Sequence, residues 1–357
     1  MLEFLKSYIS GISLTHLPMF AIAWCFLFAA AIASYGYQYY LVRKDLSFFG
    51  FLKHCFPLHT WRDKSSYIDI MMYFVSKYTK AIVLLGHIAL VLLVSGGVNA
   101  ILGVVFEGYV AQTAGVITII VFSALSCVVW DFSNFLSHYL QHKVPFLWEI
   151  HKVHHSATQL TPFTSKRLHP LADKLDLTIG GVLVGILFGF GQHIYDFSVA
   201  DMVIMLGNMN MIVTIAVMDP LRHSQFPISF GPLEAIFISP RMHHLHHSVK
   251  LEHWDKNMGF ALAIWDRMFG TYCRAKTGEA YVYGIGRGAD VDLEYQSVYG
   301  AYVHPVVKSI KVLTGVEAPQ PMPELPNDAY DGAVPLSASM TAREVVQRLR
   351  RRRLHFG

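Results

Sequence analysis

Residues 113–142 read TAGVITIIVFSALSCVVWDFSNFLSHYLQH. The part from 113 to 135 is long and apolar enough to cross a bilayer, for which about 20 residues suffice. It then runs into His138 and His142 with neither Gly nor Pro to stop a helix. On a continuing helix, positions i and i+4 share a face. Two imidazoles are therefore expected just above the bilayer, with Asn134 and Asp131 on the stripe beneath them. A carboxylate placed there can orient a ligand histidine through its second ring nitrogen.

Four more apolar stretches surround this one, at residues 17–39, 81–106, 175–191 and 197–218. The stretch at 175–191 is short and glycine-rich, which fits a shallow or a closely packed helix. The last carries Asn208 and Asn210, which need partners in hydrocarbon. The stretch at 17–39 is long and lacks a basic leader region, so it reads as a span and not as a cleavable signal. The predicted fold is an all-α, multi-spanning membrane helix bundle of five apolar segments, under a helical cap that carries the histidines.

Composition agrees. Hydrophobic residues make up 53% of the 357 and charged residues only 15%, against about 25% charged in soluble domains. A net charge of +4, much of it in Arg348–Arg353, gives no reason to expect a nucleic-acid partner. The four cysteines, Cys25, Cys55, Cys127 and Cys273, form no CxxC pair, which argues against a disulfide framework or an iron–sulfur site.

Lysine and arginine set the orientation. They crowd residues 42–80 but are missing from the connections at 107–112 and 192–196. The positive-inside rule then places 42–80, 136–174 and 220–357 in the cytoplasm. Every histidine cluster falls on that side. Residues 317–335 read as a proline-rich linker, followed by a basic helix that Thr341 can cap and that can touch anionic lipid. The domains expected are 1–112, N-terminal spans with a basic loop; 113–275, the histidine-bearing catalytic unit; and 276–357, a cytoplasmic tail.

Downstream of His138 and His142 come two HxxHH sets, His151, His154 and His155, then His243, His246 and His247. At roughly 100° per residue, one helix can offer all three rings to one site or share them between two ions. His244 lies off that stripe. Packing so many imidazoles together without metal would cost desolvation and invite repulsion on protonation. Eight are too many for one ion, so two ions are the economical count. Imidazole suits iron, zinc, copper and nickel, and the ligand set alone does not name the metal.

The order HxxxH, HxxHH, HxxHH resembles the fatty acid hydroxylase superfamily, which includes sterol desaturases, sterol C-4 methyl oxidases and alkylglycerol monooxygenases. Residues 131–142, Leu147–Ser156, Arg167-Leu168-His169-Pro170, Asp255–Gly259 and Trp265–Thr271 look like signatures of the same group. The resemblance covers roughly 115–275. It implies a centre of two irons that activates O2 to hydroxylate or desaturate an alkyl C–H of a lipid, a sterol, ether lipid or other polar lipid. Zinc can occupy the same imidazoles in purified protein. The resemblance also implies His223 as a ninth ligand. Asp219 stands where some relatives have a further histidine, and His169 sits in a family-like motif, so both are candidates for a supporting role. No HPGG haem segment or cysteine-rich electron module is present, so electrons are expected from a separate donor, ferredoxin-like or cytochrome b5-like.

The main alternative is a histidine-rich metal-handling membrane protein or transporter. Transport favours ligands near the bilayer midplane, whereas these clusters lie outside the apolar runs. A metal-dependent hydrolase would want a carboxylate built into a histidine motif, as in HExxH, and none is present.

Overall fold

The computed structural model describes residues 47–217, 219–276, 279, 281–285 and 294–318, with isolated positions between 25 and 36. Nearly all of the stretch at 17–39, most of the linker at 317–335 and the basic helix after Thr341 lie outside the described residues. Among the described residues the fold is helical. Two isolated bridges, Phe237 with Leu262 and Ser248 with Tyr283, are its only extended pairings.

Two short helices, α1 (Phe48–Cys55) and α2 (Leu58–Trp61), lead into α3 (Lys64–Val105). Asp63 caps α3, its carboxylate accepting from Ser65 N at 2.8 Å. With 42 residues, α3 is roughly 63 Å long, about twice the thickness of a hydrocarbon core. Only Leu85–Val105 is apolar enough to cross. The preceding half extends the same helix beyond the bilayer, although its Ser, Asp and Lys content reads as a basic loop.

The helix α4 (Val116–Lys143) continues from its apolar part through His138 and His142, as the sequence predicts. The single residue Val144 leads into α5 (Pro145–His155), started by Pro145 at its first position, where a missing N–H costs nothing. Then come α6 (Pro170–Tyr195) and α7 (Val199–Val217). Leu85–Val105, α4 and α6 are long and apolar enough to cross a membrane, which supports membrane association. The helix α7 covers the last apolar stretch, and Asn208 there donates to Ser123 Oγ at 3.2 Å.

Close packing explains the glycines of α6. A Cβ on Gly185 would lie 2.8 Å from Val94 Cβ, and one on Gly189 would lie 2.5 Å from Val98 Cβ. The two glycines stand four apart and let α3 and α6 approach backbone to backbone, as small residues do between membrane helices. Of the two options the sequence leaves for this stretch, the closely packed helix is the one observed. It also starts earlier than its apolar run, because Asp173, Lys174 and Asp176 interrupt the hydrophobic signal. Val91, Phe122, Val184, Phe188, Met202 and Met205 form the core between these helices.

Above the spans lie α5, the turn Thr164–Lys166, α8 (Asp219–Arg222), α9 (Pro240–His246), α10 (Ile264–Phe269) and α11 (Val298–Leu313). Arg167, fully buried, fastens this cap to α3. Its guanidinium donates to Asp69 Oδ1 at 3.0 Å, to Val153 O at 3.0 Å and to Ser156 Oγ at 2.9 Å. Asp69 also accepts from Thr161 and Thr164. A buried charge pair is tolerated only when its remaining hydrogen bonds are made, and here they are. The helix α11 packs on α5, so residues 294–313, which read as tail, are part of the cap.

Candidate metal centre

Nine imidazoles gather into two adjoining groups. His138 and His142 from α4, His151 and His155 from α5 and His246 from α9 form the first; His154, His223, His243 and His247 form the second. Within each group one atom per residue lies within 4.8 Å of all the others. The groups touch: the His155 ring stacks on His247 with centroids 4.6 Å apart and lies 4.7 Å from His246. All nine are the histidines singled out in the sequence. His244 belongs to neither group and lies 3.4 Å from Tyr283 Oη through its Nδ1.

The helix repeat explains how each HxxHH set is divided. His151 and His155, four apart, face the first group, while His154 turns to the second. On α9 the division reverses, with His243 and His247 in the second group and His246 in the first. Adjacent residues differ by about 100° around the axis, so one helix serves two sites by splitting neighbours between them.

Hydrogen bonding fixes the tautomers of four of the five rings in the first group. His138 Nδ1 faces Met258 O at 2.9 Å, His151 Nδ1 faces Gln141 Oε1 at 3.0 Å, and His246 Nδ1 faces Lys256 O at 2.7 Å. Carbonyl oxygens only accept, so each Nδ1 carries the proton and each Nε2 keeps a lone pair. His142 Nδ1 lies 3.2 Å from the carboxylate of Asp255, with the same result. These Nε2 atoms point at one another: His138 and His151 approach to 3.1 Å, and Nε2 of His142, His155 and His246 is buried without a hydrogen-bond partner. Lone pairs converging at a dry site, with the ring protons committed outward, fit a metal ion.

The second group is as tight. His223 Nε2 lies 2.8 Å from His243 Nε2, which lies 3.1 Å from His247 Nε2, and His154 Nε2 lies 3.3 Å from His223 Nε2. His223 Nδ1 donates to the Asp219 carbonyl at 3.2 Å. His243 is different, because Arg222 Nη2 lies 2.8 Å from its Nδ1. A guanidinium can only donate, so this Nδ1 accepts.

Burial holds these rings neutral. It drives His151, His154, His155, His246 and His247 well below the ordinary imidazole value, and neighbouring imidazoles add to the effect. His243 is lowered by burial and then by Arg222, and His223 falls to about 4, chiefly through burial. A neutral imidazole is the form that ligates a metal.

The other sequence candidates have different roles. Asp131 touches no imidazole: its carboxylate accepts from Ala261 N at 2.7 Å, Leu262 N at 3.2 Å and Trp265 Nε1 at 2.7 Å. It pins the loop whose Met258 carbonyl holds His138, a span-to-loop clamp that helical spacing alone does not reveal. Asn134 bonds back to Trp130 O within α4. His169 caps α6 through Nδ1, accepting from Leu171 N, and its Nε2 donates to Tyr302 O at 3.0 Å. Asp219 does border the site. Its Oδ1 is 3.6 Å from His223 Nδ1 and its Oδ2 accepts from Lys166 at 2.6 Å. Against the upward push of burial, Lys166 holds this carboxyl well below its usual range.

Sequence reasoning missed Gln141, Asp176 and Arg222, and it placed Asp255 in a family-like motif without its bond to His142. Asp176 carried the clearest signal, since an acid inside an apolar stretch usually has a task. Here it accepts from Gln141 Nε2 at 2.8 Å and from Ser137 Oγ at 2.5 Å.

Residues 123–271 match the fatty acid hydroxylase family. The ornithine lipid hydroxylase OlsE of Rhizobium tropici is 28% identical over 148 residues, 42% of this chain and 40% of that protein. The alkylglycerol monooxygenases of Caenorhabditis elegans and Homo sapiens are each 26% identical, over 43% of this chain and 28% and 31% of their own lengths. The chain thus spans less than half the length of these curated relatives. No solved structure matches. The matched segment contains all nine clustered imidazoles, and over it this chain is similar to the fatty acid hydroxylase family.

Proposed function

We propose that this protein is a multi-pass membrane oxygenase that hydroxylates or desaturates an alkyl C–H of a polar lipid. The observation that carries the reading is the pair of adjoining, buried histidine groups, in the first of which Nε2 lone pairs turn inward. Relatives named as an ornithine lipid hydroxylase and as alkylglycerol monooxygenases favour a lipid with a polar headgroup over a free fatty acid. The family is iron-dependent, and two irons suit nine imidazoles in two groups. The catalytic unit is residues 113–275, on the cytoplasmic side by the Lys/Arg distribution.

When bound, the irons would supply the redox chemistry that activates O2. The balance for hydroxylation is R–H + O2 + 2e− + 2H+ → R–OH + H2O. The protein contributes position and environment. Gln141, Asp255 and the carbonyls of Met258 and Lys256 hold the ligand rings at fixed angles through their Nδ1 atoms, as outer partners commonly do around metal sites. Burial excludes water and keeps the imidazoles neutral. Near the second group, the Lys166–Asp219 pair offers a charged foothold for a lipid headgroup. Leu221 and Phe226, close by in the chain, pack against Ala31 in the first apolar stretch, so this flank is the bilayer-facing entrance.

The deciding experiment is a lipid profile of cells with and without the gene. A species differing by one oxygen or by two hydrogens is expected; an unchanged profile under full expression overturns the reading.

A further inference from the structure

The reaction balance calls for two electrons per O2, and they must enter from a carrier. Tunnelling weakens exponentially with distance, so a carrier docks where a redox centre comes near solvent. Two flanks of the histidine groups reach outward. One is the Lys166–Asp219 pair beside His223, proposed above as the lipid entrance. The other leaves the first group past the end of α4, on the far side from the spans.

On that second flank the Trp148 indole lies against two clustered rings, with centroids 5.0 Å from His142 and 5.4 Å from His155. The Trp254 ring follows at 6.4 Å. Both indoles are half-buried. A second connection runs beside them, since Asp255 bonds His142 Nδ1 and also accepts from Lys143 Nζ at 2.5 Å, with the Lys143 side chain 40% exposed. Conjugated rings and a hydrogen bond thus join the first group to the surface within two residues. The same flank is basic. Lys143, Lys250, Lys256, Arg274 and Lys276 outnumber the acids Glu252, Asp255 and Glu279, and Lys256, Glu279, Glu252 and Lys276 all act on Cys273.

We propose that Trp148 and Trp254, ringed by Lys143, Lys256, Arg274 and Lys276, form the docking and electron-entry face for an acidic one-electron carrier protein. This rests on the oxygenase reading above. Each encounter oxidises the carrier by one electron and reduces the metal centre by one, and two encounters supply the pair that the balance needs. Charge complementarity of this kind sets encounter rate more than affinity, and electron-transfer encounters need only small contacts. Trp254 is placed as a route and a contact, not as a ligand.

The test uses full-length, iron-loaded protein in lipid nanodiscs, reduced either by an acidic [2Fe–2S] ferredoxin or by dithionite, with reduction followed by stopped-flow absorbance. Arg274→Glu with Lys276→Glu should slow ferredoxin reduction at least roughly tenfold and flatten its salt dependence. Trp254→Leu should slow it at all salt concentrations, and Trp254→Phe should recover part of the rate. Iron content and dithionite reduction should stay at wild-type levels. Equal slowing with both reductants, unchanged ferredoxin rates, or a wild-type centre that dithionite reduces and ferredoxin does not would each overturn the docking face. A wild-type protein with no reducible metal would instead remove the oxygenase reading, and this inference with it; the dithionite arm separates the two failures.

Discussion

His151 and Gln141 meet across the α4–α5 junction, the imidazole Nδ1 donating to the amide oxygen at 3.0 Å while the amide nitrogen donates to Asp176 at 2.8 Å. The chain His151–Gln141–Asp176 links a clustered ring in the cap to a carboxylate inside α6, so ring orientation depends on a residue near the bilayer. Gln141→Leu removes the acceptor and leaves a buried N–H unpaired. Outer partners of ligating histidines are typically worth about 10–100-fold in metal affinity. Gln141→Leu should therefore lose metal to a chelator at correspondingly lower concentration, and Gln141→Glu, which still accepts, should lose less. Wild-type retention of metal in Gln141→Leu would remove this chain from the account of the site.

Eight of the nine clustered histidines are legible from spacing, because ligands spaced for one helix face leave a periodic trace; His223 is legible only through the family resemblance. The partners that hold them are not. Met258 and Lys256 act through backbone carbonyls, which no side chain announces. Asp255 reaches His142 from a left-handed turn 113 residues away. The first half of α3 was hidden for a different reason, since its buried face uses Ser65 and Asp69 to receive Arg167, and polar residues bonded in a cap look like a loop.

Gly189 gives a direct test of the α3–α6 contact. A methyl group there would overlap Val98 Cβ and the Ser95 carbonyl, at 2.5 and 2.8 Å, and backbone cannot swing aside. Overpacking of this kind costs about 1–3 kcal/mol. Gly189→Ala should lower the thermal unfolding midpoint in detergent. Gly103→Ala, where a Cβ meets nothing within 4 Å, should leave it unchanged or raise it slightly. Equal midpoints for both variants would refute the close approach.

The buried imidazoles make the metal-free protein acid-sensitive. Their folded-state values are lowered, to about 4 for His223 and about 3 for His244, chiefly through burial. The unfolded chain takes up protons near the ordinary value of about 6.5, before the folded one does. Unfolding is therefore favoured increasingly as pH falls from about 6.5 toward about 4, and the penalty vanishes above about 6.5, where both states are neutral. Protons also compete with metal for the same nitrogens. Thermal midpoints of the chelator-treated protein should drop across this window, and the loaded protein should release metal within it. A flat profile from pH 7 to 4 would contradict the burial of neutral rings.

The division of each HxxHH set predicts which variant empties which site. His246 belongs to the first group and His154 to the second, and neither lies in a candidate span, so membrane insertion should survive both substitutions. His246→Ala and His154→Ala should each lose roughly one ion of an expected total of about two per chain, and each should abolish lipid oxidation, since the stacked pair His155 and His247 makes the two sites one working unit. Activity of the wild type should follow iron and not zinc, which lacks redox chemistry. Elemental analysis beside a lipid assay decides it. One ion in the fully active wild type, full oxidation with zinc alone, or loss of both ions in step with loss of insertion would each break the two-group reading. A protein with two separately emptied sites on opposite turns of the same two helices is what the 100° offset between neighbouring residues requires.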